Sequence, residues 1–135
     1  MTQEDKELLL KDLCARLPYG VVVRTWYGKR INIKCISVNV YTNAVELDIP
    51  EDDDAKVFID NVKPYLFPLS SMSDEQKREF EDILIKLNLK AISDEIGSEV
   101  ITSYEIDFYN KNHFDYRGLI ERGIALDATG LDIYK

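Results

Sequence analysis

The chain holds one histidine, and it stands among residues that could do acid–base work. His113-Phe114-Asp115-Tyr116-Arg117 gathers an imidazole, a carboxylate, a phenol and a guanidinium in five positions. An imidazole oriented by a carboxylate is a common general base near neutral pH, so His113 with Asp115 could draw a proton from a nucleophile. The nucleophile itself is missing from the pattern. The chain has no G-x-S-x-G elbow, P-loop, G-x-G-x-x-G or H-E-x-x-H. The competing reading is a helix-to-helix junction, in which Asp115 caps the following turn and Arg117 pairs with a nearby acid. The residues favour that reading over an enzyme such as a small hydrolase or transferase, and they imply no cofactor.

Two other segments could bind rather than react. Lys63-Pro64-Tyr65-Leu66-Phe67-Pro68-Leu69-Ser70-Ser71-Met72 is bulky and apolar, with two prolines and neither helical nor strand period. A loop this apolar must pack on the core or present a surface. Tyr65, Phe67, Ser70 and Ser71, with His113, Asp115, Tyr116 and Arg117, form one candidate contact surface. The second is a predicted hairpin with Arg24, Trp26, Tyr27, Lys29, Arg30 and Lys34. Four cations and two aromatics in so short a span could grip a nucleic-acid backbone and stack a base. The simpler reading is a solvated hairpin whose tryptophan covers the core.

Metal chemistry finds no support. Glu51-Asp52-Asp53-Asp54 lacks the spacing and glycine of a calcium loop. Two cysteines without a CxxC, and a single histidine, do not make a zinc site. Cys14 and Cys35 are expected as reduced, buried thiols.

These residues need elements to hold them. Residues 3–17 carry a helical stripe of Leu10, Leu13, Cys14 and Leu17, capped by Thr2 and ended by Pro18. Strands are expected over 19–26, 30–40 and 45–49, with a turn at Tyr27-Gly28-Lys29 and a bulge near Lys34-Cys35, where the apolar phase shifts. Val57-Phe58-Ile59 suits a fourth short strand. Pro64 and Pro68 predict an irregular stretch up to Met72. Ser73 and Gln76 form a capping box for a helix striped by Phe80, Ile83, Leu84 and Leu87. Residues 88–99 carry no clear signal apart from a break at Gly97-Ser98. A third helix is expected over about 100–112, a short helical turn over 116–122 ended by Gly123, and an edge strand at 124–126. The fold class is α+β: a three- to four-stranded antiparallel meander packed on two or three helices, in one domain over residues 1–135.

Of the 135 residues, 45% are hydrophobic and 31% charged, which is the globular range. The formal net charge of −8 is uneven: +3 over residues 1–45, −10 over 46–105 and −1 over 106–135. An acidic middle is a poor match for nucleic acid or an anionic membrane. No run reaches the ~20 apolar residues that span a bilayer, and the acidic N-terminus is unlike a secretory leader. A cytoplasmic protein is expected.

Three segments, MTQEDKELLLKDLCARLPYGV (1–21), VKPYLFPLSSMSDEQK (62–77) and HFDYRGLIERGIALDA (113–128), are similar to a family of short uncharacterised proteins from gut bacterial genomes and their prophages. They cover about two fifths of the chain. The phrases PYL-x-PLSSM and HFDYRGLI carry the resemblance, and neither is the signature of a reaction. Relatives often have two adjacent histidines where this chain has Asn112-His113, so a paired-histidine metal site is not implied. The resemblance implies a small accessory or binding protein. The leading expectation is therefore a non-enzymatic interaction module with a protein partner. A nucleic-acid-associated protein using residues 24–34 ranks second, and an enzyme using His113 and Asp115 ranks third.

Overall fold

In the first helix, α1 (Gln3–Arg16), the Thr2 hydroxyl accepts from the Asp5 amide at 3.1 Å and caps the start. The structure is a computed structural model, and it describes residues 1–93 and 97–134. The buried face of α1 is Leu9, Asp12, Leu13 and Arg16 with Leu10, not the expected stripe through Cys14 and Leu17. Both sets have i, i+3, i+4, i+7 spacing. The helix is turned so that two charged residues face inward, which is tolerable because they pair with each other. Cys14 is consequently exposed, and only Cys35 is buried.

The fold is α+β, as expected, and its sheet is mixed and larger than a meander of three or four strands. Among the described residues seven strands form the sheet: β1 (Val22–Trp26), β2 (Arg30–Asn39), β3 (Ala44–Leu47), β4 (Lys56–Phe58), β5 (Val62–Pro68), β6 (Phe114–Asp115) and β7 (Leu126–Asp127). β1 to β4 pair consecutively and antiparallel. The bulge in β2 lies between Cys35 and Ser37. β5 runs antiparallel beside β1, and β6 and β7 both pair with β5 in parallel.

β5 occupies residues expected to be irregular. Antiparallel ladders alternate bonded and non-bonded pairs, and proline is tolerated where its missing N–H is not required. Pro64 stands opposite Val23 at the end of the β1–β5 register. One residue further, Tyr134 takes over. The Val22 amide donates to its hydroxyl at 2.9 Å, and that hydroxyl donates to the Tyr65 carbonyl at 2.8 Å. A side chain thus bridges the two strands where their ladder stops.

α2 (Asp74–Ile92) opens with the expected capping box of Ser73 and Gln76. α3 (Ser98–Lys111) follows, with Gly97 at its N-cap. Of the uncertain stretch 88–99, residues 94–96 lie outside the described residues. Phe80 of α2 packs on Phe108 of α3, and Phe108 stacks on Phe114. The segment 116–122 forms turns rather than a helix, closed by Gly123 at φ +75°. Ile124 and Ala125 are buried ahead of β7, so the last strand starts later than expected. The main core lies between α1 and the inner sheet face, where Leu9 and Leu13 meet Val21, Val23, Cys35, Leu47, Val62 and Leu66.

Candidate functional site

Two groups of residues singled out in the sequence come together in the fold. The first joins β5 to the segment after α3. Phe67 pairs with Phe114, and the Phe67 amide donates to the His113 carbonyl at 2.8 Å. The two apolar segments therefore touch, as their need for cover predicts. Their large side chains are spent in the contact, however. Tyr65, Leu66, Phe114 and Leu119 are all buried. Ser70 and Ser71 stay at the surface, and the Ser71 hydroxyl donates to the Pro68 carbonyl at 2.6 Å. A shallow groove of about 380 Å³ runs past Pro68, Leu69, Ser70, Asp115, Tyr116 and Ile120.

The charged members of this group have structural partners. Both Asp115 oxygens accept backbone amides, from Leu119 and Ile120, at 2.9 Å each. Asp115 is thus the cap of the following turn and makes no hydrogen bond to His113 among the described residues. His113 holds a left-handed backbone at φ +61° and stacks on Tyr134, ring centroids 3.5 Å apart and planes 9° from parallel. Burial, with the nearby Arg16 charge adding to it, pulls the imidazole down from 6.5 to about 4. A neutral ring at physiological pH could accept a proton, but its Nδ1 faces no described hydrogen-bond partner. The general base oriented by Asp115 is not assembled in this geometry.

Arg117 does find the nearby acid, and the acid is Asp12 of α1, 3.2 Å away. Asp12 also holds Arg16 at 2.8 Å, and both of these side chains have no exposed surface. Arg16 Nη2 donates to the Phe114 carbonyl at 2.7 Å. The ring of Tyr116 lies under both guanidinium groups, at 5.4 Å and 4.8 Å. Sequence reading missed Asp12, Arg16 and Tyr134. The i, i+4 spacing of Asp12 and Arg16 signals an ion pair, but nothing local says that the pair is buried. Tyr134 has no local signal at all, since its partners are 112 and 69 positions away.

The second group is the outer face of the sheet. On β1, Val23 and Thr25 point into the protein and Arg24 and Trp26 point out. The register sets Trp26 opposite Arg30, Arg24 opposite Asn32, and Val22 opposite Lys34. On the other flank Lys63 stands opposite Arg24. Directly paired residues share a face, so Arg24, Trp26, Arg30 and Lys34 lie together with Lys63, which the sequence reading left out. A groove of about 200 Å³ is lined by Arg24, Trp26, Arg30, Asp60, Asn61 and Lys63. No ion pair among the described residues involves Arg24, Arg30, Lys34 or Lys63. Asp60 is paired with Lys6 at 3.4 Å instead.

Tyr27 and Lys29 leave this face. The Tyr27 hydroxyl donates to Asp52, which pushes the phenol up and holds the Asp52 carboxyl down. Tyr27 and Lys29 border a separate groove with Ile31, Ile33, Ile49 and Pro50. The tryptophan does not cover the core; its side chain is 66% exposed. Among the described residues no cluster of histidine, cysteine and acidic side chains could hold a metal ion, and no helix is long and apolar enough to cross a membrane. Comparison with protein-family models, with curated proteins and with solved structures gives no match.

Proposed function

We propose that this protein is a non-enzymatic accessory module that binds nucleic acid through the outer face of β1, β2 and β5. The observation that carries the reading is that Arg24, Arg30, Lys34 and Lys63 share one face and none has an ion-pair partner among the described residues. Unpaired cations beside an exposed aromatic side chain suit a phosphate backbone. The net charge of −8 repels a polyanion at a distance, but beyond a Debye length of about 10 Å that repulsion is screened in ordinary buffer. Binding is therefore modest and salt-sensitive.

The enzymatic reading loses support because Asp115 is committed to two amides and His113 is stacked on Tyr134. The protein-partner reading keeps one support, the groove beside Leu69, whose side chain is 41% exposed. Fluorescence anisotropy with labelled DNA tests the leading reading. Wild-type protein binds at low salt, and Arg24→Gln/Arg30→Gln/Lys63→Gln does not. No binding by the wild type, or equal binding by the triple variant, overturns it.

A further inference from the structure

The outer face is uneven, and its unevenness says what kind of nucleic acid it fits. Trp26 ends β1, and its indole makes no aromatic or cation contact among the described residues. An exposed tryptophan leaves a large apolar surface in water without a covering side chain. The groove beside it, about 200 Å³, is below the size that encloses a drug-sized ligand. It has room for one flat ring. The Asn61 backbone is held beside β1 from the inner side, because the Thr25 hydroxyl donates to the Asn61 carbonyl at 2.8 Å. The Asn61 side-chain amide makes no hydrogen bond within the described residues, so its donor and acceptor remain available at the groove. Arg24, Arg30 and Lys63 rim it, and Lys34 continues the cationic line along β2. Alternate residues of a strand are roughly 6.5–7 Å apart, so Arg30 to Lys34 spans about 13 Å.

We infer that this groove takes one unpaired base of a single-stranded nucleic acid, stacked on Trp26 with its edge toward Asn61, while Arg24, Arg30, Lys34 and Lys63 hold the flanking phosphates. The inference rests on the proposal that the face binds nucleic acid, and it goes further in specifying the strand state. A duplex keeps its base faces inside the stack, where Trp26 cannot reach them, so it meets only the cations. A single strand offers both phosphates and bare ring faces. The face accommodates about two to three nucleotides, in keeping with a sheet platform of this kind.

Trp26 is the single tryptophan in the chain, so it reports on its own occupancy. The experiment is a fluorescence titration with a thymidine decanucleotide, a duplex of the same length, heparin and thymidine monophosphate, on wild type and Trp26→Ala. The expected result is quenching by the single strand and binding at least about fivefold tighter than to the duplex. Trp26→Ala loses about tenfold in single-strand affinity, read by anisotropy, and none in duplex affinity. The residue is exposed at a strand end, and circular dichroism of the variant verifies its fold. Equal binding of single strand, duplex and heparin without quenching overturns the base-stacking inference and leaves the nucleic-acid proposal standing. Saturable quenching by the mononucleotide at the same concentration overturns the strand assignment in favour of a nucleotide site. No binding of any polyanion overturns both.

Discussion

Arg16 and Arg117 differ from Arg24, Arg30, Lys34 and Lys63 in what faces each charge. The first two converge on Asp12, a carboxylate with no exposed surface, and Arg16 also holds the Phe114 carbonyl. The other four face solvent-accessible space on the outer sheet and form no ion pair among the described residues. All six side chains are cationic, and their consequences are opposite. A buried guanidinium that satisfies a buried carboxylate fastens α1 to the segment after α3. An unpartnered cation on an open face contributes little to folding and remains available to a ligand. Partnering, rather than charge count, separates the structural region from the binding region.

The strongest way to break this comparison is to remove a partner from the buried group. Arg16→Met leaves Asp12 with a single cation and the Phe114 carbonyl without its donor, so stability falls by about 3–5 kcal/mol. Urea denaturation reads that loss, and Arg30→Gln in the same assay stays within about 0.5 kcal/mol of wild type. Comparable destabilisation by both would erase the distinction. Phe114→Ala empties the center of the same junction and costs about 3–5 kcal/mol. Its ring centroid is 6.4 Å from that of Phe67, so Phe67→Ala and Phe114→Ala are non-additive in combination. Strict additivity would mean that the two segments do not share a packing site.

The effect of pH sharpens the comparison further. The folded His113 value of about 4 lies below the ordinary 6.5, so the unfolded chain takes up this proton first. The contribution is complete above about pH 6.5, is lost progressively as pH falls toward 4, and is constant below that. Its size is at most about 3 kcal/mol. His113→Asn suits the left-handed backbone and removes this step from a plot of unfolding free energy against pH. An unchanged step would assign it to other groups. The smallest effect is at the thiols. Burial raises Cys35 to about 12, while Cys14 is exposed. A thiol reagent therefore labels one cysteine in the native protein and the second only after denaturation. Rapid labelling of both would contradict the buried position of Cys35.

Much of the architecture is legible locally. The capping box at Ser73 and Gln76, the β2 bulge and the turn at Gly28 all follow from short-range backbone chemistry. The misreadings share one cause. On α1 the apolar periodicity selected Cys14 and Leu17, because a charged pair was not allowed to face the core. At Pro64 a breaker rule outweighed a strand that neighbouring β1 stabilises. In both places a tertiary partner reverses a local preference, and that partner is distant in sequence. The outer face was half visible: Arg24, Trp26, Arg30 and Lys34 alternate within one hairpin, whereas Lys63 joins them only through the β1–β5 register. Tyr27 and Lys29 belong to the turn, where strand alternation does not apply.

The central claim is that the outer cations are free for phosphate, and the salt dependence of DNA binding tests it most directly. Four phosphate contacts to a single strand predict a slope of log affinity against log salt of about −2.8, and Arg24→Gln/Arg30→Gln reduces it by about 1.4. A slope near zero, or one that the double substitution leaves unchanged, would contradict the claim.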